Sequence, residues 1–242
     1  MNLNSLRLSR SYLRLEMNEI FLSQEKDISS LLRKIDSLLE TVQETPNLFY
    51  RHIPFKDYNP NLIYVVLDLE GKPLKVIGFL FFDRIIQVYI KEEQYSPQLD
   101  EIFLLILRIF RKMPIFVFSN YEIFYIHNEL LNRLKQTHQK REWEFFEALP
   151  IINVQERGYE STEAALYSMN QEPIPDPLLR KGTTVDFRFQ LNQFELILDH
   201  NKSCLQNTWI ILEQRYLKKN LLQYPWRENK KLKTKLTKIQ EE

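Results

Sequence analysis

The apolar positions of the chain follow two different patterns, and the change between them divides the sequence. In residues 5–44, leucine, isoleucine and phenylalanine recur every three or four positions between charged residues, which predicts helix. Residues 45–61 are punctuated by Pro and Asn and are predicted to form a connector. From residue 62 onward, short and nearly continuous apolar runs replace the helical spacing, and such runs are typical of strands buried in a sheet.

The order of these runs predicts an α/β fold. Three strands linked by tight turns are followed by a helix, a fourth strand and a second helix, which permits a mixed five-stranded sheet flanked by helices. A short helix, a proline-rich loop and a long amphipathic helix follow the fifth strand. The predicted strands are 62–70, 75–83, 85–92, 113–119 and 149–155, and the predicted helices are 97–112, 120–140, 161–169 and 190–219.

The length and termini predict one domain with additions. A chain of 242 residues is long enough for one full core. We expect a helical N-terminal extension (1–60), a central domain (61–220) and a charged C-terminal tail (221–242). The first residues contain no long apolar run, so neither a signal peptide nor a membrane span is expected. The single cysteine, Cys204, cannot form an intramolecular disulfide, which favours a reducing, cytoplasmic location.

Glycine content and net charge narrow the possible ligands. The chain has 4 Gly and contains neither GxxxxGK[ST] nor GxGxxG, so nucleotide binding of the P-loop or Rossmann kind is not expected. The formal net charge is +1, so any contact with nucleic acid must rest on a local basic patch.

Two acidic residues end the first predicted strand. Strand alternation places Asp68 and Glu70 on the same face, and paired carboxylates suit hard divalent cations such as magnesium and manganese. Taken alone, an Asp-x-Glu pattern more often marks a solvated turn. A third carboxylate, Glu122, follows the predicted fourth strand where a helix begins, and a helix N-terminus also favours an acid for electrostatic reasons alone.

The long C-terminal helix carries His200 and Cys204 four positions apart, hence on one helix face. A histidine suits general-base chemistry because its pKa is near neutral, although a hydrogen-bonded structural histidine fits equally well. Cys204 is either a small buried hydrophobe or a soft ligand, better suited to zinc than to magnesium. Asp199 lies about 140° around the helix from Cys204 and is a poor substitute for it.

Together these motifs resemble the ribonuclease H-like DEDD (DnaQ-like) exonuclease superfamily, in particular its YprB-type branch. Asp68 and Glu70 match the first motif, and Glu122 matches the Tyr-Glu version of the second. His200 and the following Asn match the third, in which Cys204 stands where a fourth carboxylate is expected. The resemblance covers about residues 62–217 and does not include the N-terminal 60.

The resemblance implies a metal-dependent 3′–5′ exonuclease that hydrolyses phosphodiester bonds of DNA or RNA. Asp68, Glu70 and Glu122, with Cys204, would be ligands of two Mg²⁺ or Mn²⁺ ions, and His200 would accept the proton of the attacking water. The implied partner is a single-stranded nucleic-acid end, and the N-terminal helices are a candidate surface for a protein partner.

Two other hypotheses remain open from the sequence. Cys204 and the low net charge favour a pseudo-nuclease that keeps the fold as a module for binding nucleic acid or protein. The third hypothesis is a structural α/β protein whose motifs arose by chance, and a sheet without an antiparallel strand at 75–83 would favour it.

Overall fold

The computed structural model describes residues 28–57, 64–130, 149–155, 161–178 and 184–217. Its centre is a mixed sheet with the strand order β1-β4-β3-β2-β5-β6. Strand β4 pairs antiparallel with β1 and β3, and β3 pairs antiparallel with β2. Strand β5 runs parallel to β2, and β6 runs parallel to β5. The strands are β1 (Leu48–Pro54), β2 (Val65–Glu70), β3 (Val76–Phe81), β4 (Arg84–Ile90), β5 (Ile115–Val117) and β6 (Ile151–Asn153).

Helices cover both faces of the sheet. One core joins α1 and α2 to the apolar side chains of β2, β3 and β4 that point to one face, and a second core joins α4 and the C-terminal half of α6 to the opposite face. The α/β class and the mixed sheet flanked by helices are therefore confirmed. The helices are α1 (Ile28–Glu44), α2 (Ser96–Ile109), α3 (Asn120–Phe124), α4 (Thr162–Tyr167), α5 (Val185–Gln190) and α6 (Phe194–Leu212).

The sheet has six strands among the described residues, so the prediction of five was wrong. The additional strand is β1, which lies in the segment predicted to be a connector and pairs along its whole length with β4. Pro46 precedes β1 and Pro54 is its last residue. After Leu48 the side chains of the strand alternate between partly buried and exposed. Prolines are tolerated on an edge strand, where one side of the backbone faces solvent.

The predicted helix at 190–219 is also interrupted. Helix α5 ends at Gln190, and Asn192 adopts a positive φ of 55° before α6 begins at Phe194. A left-handed residue just past a helix end is a common stop signal, and asparagine is among the few residues that adopt it readily. Beyond Leu212 the helix continues as the π-helical turn Glu213–Leu217.

Three further predictions meet the limits of the described residues. The helix predicted at 120–140 begins as α3 and continues as the π-helical turn Tyr125–Leu130, and its remainder lies outside the described residues. So do residues 1–27 and the charged tail. In the part of the chain that the structure describes, no helix is long and apolar enough to cross a membrane.

A row of four residues, one from each of four strands, fixes α6 on the sheet. Asp68, Gly78, Gln87 and Arg51 are consecutive cross-strand neighbours. Asn201 lies over this row, accepting a hydrogen bond from Gln87 Nε2 at 2.8 Å and donating one to Asp68 Oδ2 at 2.7 Å. Because both Asn201 and Gln87 are fully buried, these hydrogen bonds satisfy groups that water cannot reach.

Candidate functional site

The acids of the first two motifs lie together at the carboxyl ends of two central strands. Asp68 and Glu70 end β2, and Glu122 lies in the first turn of α3, shortly after the parallel strand β5. The carboxyl ends of neighbouring parallel strands open onto the same crevice, where ligands commonly bind in α/β sheets. The three carboxyl groups are close enough that the negative charges of Glu70 and Glu122 both act on Asp68.

Crowding of like charges marks this cluster. Burial, followed by repulsion from Glu70 and Glu122, raises the pKa of Asp68 well above its usual range, and the Asn201 hydrogen bond only partly opposes this. Burial also raises the pKa of Glu122 to about 7, although hydrogen bonds from Ser119 and from the backbone lower it. A bound cation would stabilise the ionised form of these acids and so lower their pKa values.

Helix α6 brings His200 against Glu70. The His200 Nε2 atom lies 3.1 Å from Glu70 Oε1, and the Nδ1 atom lies 2.7 Å from Asp176 Oδ1. Burial opposes protonation, but the hydrogen bonds and charges of Glu70 and Asp176 outweigh it and raise the pKa of His200 to about 9. Both ring nitrogens thus contact carboxylates, which hold the imidazole in a single orientation.

Cys204 lies one helical turn after His200 and borders the same cluster. Its Sγ atom is 3.9 Å from each His200 ring nitrogen. Burial raises the pKa of the thiol well above its usual range, and the negative charges of Asp68, Glu70, Asp176 and Glu122 raise it further. The raised pKa thus favours the thiol over the thiolate at the position where the resemblance places a fourth carboxylate.

Asp176 is the acid that sequence reasoning missed. It lies in the proline-rich loop at 173–177, predicted only as a loop, and its side chain is 7% exposed. The same Oδ1 atom that contacts His200 also accepts a hydrogen bond from the Leu178 backbone N–H at 2.8 Å, which closes a local turn. Only an acid between two prolines hinted at this position, and that signal predicts a turn rather than a site.

The two other acids of α6 that could have completed the site point elsewhere. Asp199 Oδ1 lies 2.9 Å from Arg51 Nη1, and a Glu195 carboxylate oxygen lies 3.6 Å from the same atom. Asp199 therefore does not replace Cys204, in line with its angular position on the helix. The structure brings together Asp68, Glu70, Glu122, His200 and Cys204, and it adds Asp176 and Asn201.

Oxygen donors dominate one side of the cluster. Asp68, Glu70 and Glu122 offer carboxylates of the kind that magnesium and manganese prefer, so these residues fit hard divalent ions. Glu70, His200 and Cys204 offer three different donor atoms, all within 4.8 Å of one another.

No protein-family profile, curated protein or solved structure matches this chain.

Ser119 supports Glu122 and gives a first testable prediction. Its Oγ atom caps α3 by accepting from the Tyr121 N–H at 3.0 Å and donates to Glu122 Oε2 at 2.7 Å. We expect Ser119→Ala to reduce the free energy of unfolding by about 1 kcal/mol and to raise the pKa of Glu122 further, because a donor to the carboxylate is lost. Urea denaturation and a carboxyl-carbon NMR titration measure the two effects.

Ser161→Ala is the matched control for this prediction. Ser161 caps α4 in the same way, accepting from the Ala164 N–H at 3.1 Å, and it forms no hydrogen bond with Glu122. It should cost a similar free energy and leave the pKa of Glu122 unchanged. An equal effect of both variants on that pKa would contradict the role given to Ser119.

Proposed function

We propose that this chain is a ribonuclease H-like, metal-dependent nuclease that removes nucleotides from the 3′ end of single-stranded DNA or RNA. The observation that carries the proposal is the convergence of Asp68, Glu70 and Glu122 at the carboxyl ends of β2 and β5, where two of these acids raise the pKa of the third. The order of elements from β2 onward supports it, because three strands followed by helix, strand and helix is the order that the resemblance predicts. The antiparallel β3 removes the condition that favoured a chance resemblance.

Neighbouring groups hold two of the three acids in place. Asn201 fixes the Asp68 carboxylate, and Ser119 fixes that of Glu122. Divalent ions held by Asp68, Glu70 and Glu122 would supply a bound water of lowered pKa and positive charge opposite the leaving oxygen. Asp176 anchors His200 through Nδ1, so that Nε2 faces the cluster and is positioned to accept a proton once it has released its own.

The rim of the cluster offers a positive side chain to a phosphate backbone. Lys72 is exposed at the turn directly after Glu70, and its Nζ atom lies 5.0 Å from the centre of the Tyr121 ring. The Tyr121 hydroxyl in turn donates to the Gly71 carbonyl at 2.6 Å, which fixes the ring beside the turn. With a net charge of only +1, local cations such as this one must supply the attraction for nucleic acid.

The test is degradation of end-labelled single-stranded DNA and RNA with Mg²⁺ or Mn²⁺. The wild-type chain should produce ladders that shorten from the 3′ end, whereas Asp68→Asn should reduce them to the level without metal, because the substitution keeps the shape and removes a negative oxygen donor. Asp199→Asn is the control, since Asp199 sits on the site helix but faces Arg51. Ladders that persist in Asp68→Asn would overturn the proposal.

A second candidate function is supported by Cys204. Cys204 stands where the resemblance places a fourth carboxylate, while Ser119 and Asn201 still hold two of the other acids, and this combination would suit a site that binds without cleaving. This pseudo-nuclease predicts retention of the same oligonucleotides, measured by fluorescence anisotropy, with no degradation under either metal. Gain of cleavage in Cys204→Asp would then identify a nuclease site inactivated by one substitution.

A further inference from the structure

Three donors of different chemistry converge beside the acid cluster. They are a carboxylate oxygen of Glu70 at the end of β2, an imidazole nitrogen of His200 and the Cys204 sulfur, the last two one turn apart on α6. The three residues offer one ligand atom each, and these atoms lie within 4.8 Å of one another. Magnesium gains little from nitrogen and sulfur donors, whereas zinc binds oxygen, nitrogen and sulfur ligands together.

We propose that Glu70, His200 and Cys204 form a binding site for zinc or a similar borderline-soft divalent ion, with water in the fourth position. The inference does not rest on phosphodiester hydrolysis, because the ion would bind whether or not the chain cleaves nucleic acid. It differs from the proposed hard-ion site in two ligands, since His200 and Cys204 replace Asp68 and Glu122.

The spacing of the donors is close to that of a tetrahedral site. With zinc–nitrogen and zinc–oxygen bonds of about 2.0–2.1 Å and a zinc–sulfur bond of about 2.3 Å, neighbouring donors lie roughly 3.3 Å apart for N and O and roughly 3.6 Å apart for N and S. The observed separations are 3.1 Å between His200 Nε2 and Glu70 Oε1 and 3.9 Å between His200 Nε2 and Cys204 Sγ. These two separations are within a few tenths of an ångström of the tetrahedral values, and the Glu70 oxygen and the Cys204 sulfur lie within 4.8 Å of one another.

Asp176 occupies the position of a supporting residue. Histidines that bind metals through one ring nitrogen usually donate the other N–H to a carboxylate or carbonyl, which fixes the tautomer and the ring orientation. Asp176 Oδ1 lies 2.7 Å from His200 Nδ1, and its side chain is 7% exposed. Asp176 thus leaves Nε2 as the nitrogen that contacts Glu70, and Cys204 Sγ lies 3.9 Å from that nitrogen.

Metal binding at this site has a defined proton balance. The Cys204 thiol releases its proton to the buffer, and so does the protonated His200 at Nε2, while the Nδ1 proton stays in the hydrogen bond with Asp176. The charge of the ion favours the thiolate, as is usual for metal-bound cysteine. Metal–ligand bonds replace the S–H and N–H bonds that release these protons, no other covalent bond of the protein changes, and no oxidation takes place.

Cobalt(II) titration of the full chain tests the site, because cobalt replaces zinc and reports its ligands in the absorption spectrum. We expect the near-ultraviolet charge-transfer band of a cobalt–thiolate bond, together with the intense visible bands of tetrahedral cobalt, and loss of both when zinc is added. We call the charge-transfer band of the cobalt–thiolate bond the sulfur band. Since Cys204 is the only cysteine, no other residue of the chain can supply this thiolate.

Matched variants make the result specific. Cys204→Ser should remove the sulfur band and weaken binding at least tenfold, and Asp176→Asn should weaken binding about 10- to 100-fold while keeping the band. His52→Gln, which alters an exposed histidine on β1, should leave the titration unchanged. Absence of the sulfur band in the wild type, or the same spectrum in Cys204→Ser, would overturn the proposal.

A measurement on the wild type alone covers the case in which a variant fails to fold. Zinc should slow alkylation of Cys204 by iodoacetamide at least tenfold, and magnesium should not. An unchanged alkylation rate with excess zinc would also overturn the proposal. Neither experiment measures nuclease activity, so their outcome bears on the zinc site alone, and the degradation assay bears on the proposed hydrolysis alone.

Discussion

Gly78→Ala is expected to destabilise the protein by roughly 3 kcal/mol and to lower the melting temperature by about 10 °C. A β-carbon at position 78 would lie 2.0 Å from Asn201 Oδ1, far closer than atoms can approach. Asn201 cannot yield easily, because its hydrogen bonds to Asp68 and Gln87 hold it in place. Either α6 lifts from the sheet or the Asn201 amide swings out, and both outcomes leave buried polar groups unpaired. Urea denaturation followed by circular dichroism measures the loss.

A double-mutant cycle isolates the cause of that loss. Asn201→Ala removes the amide that the new methyl group would meet, so Gly78→Ala should cost little more in the Asn201→Ala background. We expect the double variant to lose about 1–3 kcal/mol less stability than the sum of the losses in the two single variants. A Gly78→Ala variant within about 0.5 kcal/mol of wild type, or additive effects, would show that α6 is not held through this contact.

The metal-free protein is expected to lose stability as the pH rises from 5 to 9. The folded state raises the pKa of Glu122 from 4.5 to about 7, so ionisation of Glu122 above pH 4.5 costs stability until the loss is complete above pH 7. It raises the pKa of His200 from 6.5 to about 9, so the stabilisation by the imidazolium is complete below pH 6.5 and is lost as the pH rises through 9. Each group contributes roughly 3 kcal/mol with the same sign.

Divalent ions and one substitution test this pH dependence. Chemical denaturation at pH 5, 7 and 9 in a chelator should give a falling free energy of unfolding, and Mn²⁺ should restore stability more at pH 8 than at pH 5, because a cation favours the ionised acids. Glu122→Gln should flatten the part of the curve between pH 4.5 and 7. A stability that rises over this range without metal would contradict the charge assignment.

The parts of the fold that follow from local periodicity could be predicted from the sequence. Strand alternation placed Asp68 and Glu70 on one face, and helical spacing placed His200 with Cys204 and turned Asp199 away. The central strands and α2 were also expected close to their observed positions. Strand β1 was not, because its prolines and its weak alternation are typical of connectors as much as of edge strands.

The remaining site residues depend on contacts between distant segments, which periodicity does not encode. Asp176 lies in an irregular loop and meets His200 only because that loop passes beside α6. The role of Asn201 depends on the missing side chain at Gly78 and on Gln87 one strand further along. A glycine inside an apolar strand does signal a close approach of another segment, but it does not say which residue approaches.

The Asp68–Asn201 hydrogen bond joins residues 133 positions apart in the chain. During translation, β2 and Glu122 therefore leave the ribosome well before the helix that orders Asp68 and supplies His200. Contacts of such long range form late and slowly. We therefore expect a chain that ends before α6 to lack both the hydrogen bond that holds Asp68 and the imidazole that contacts Glu70.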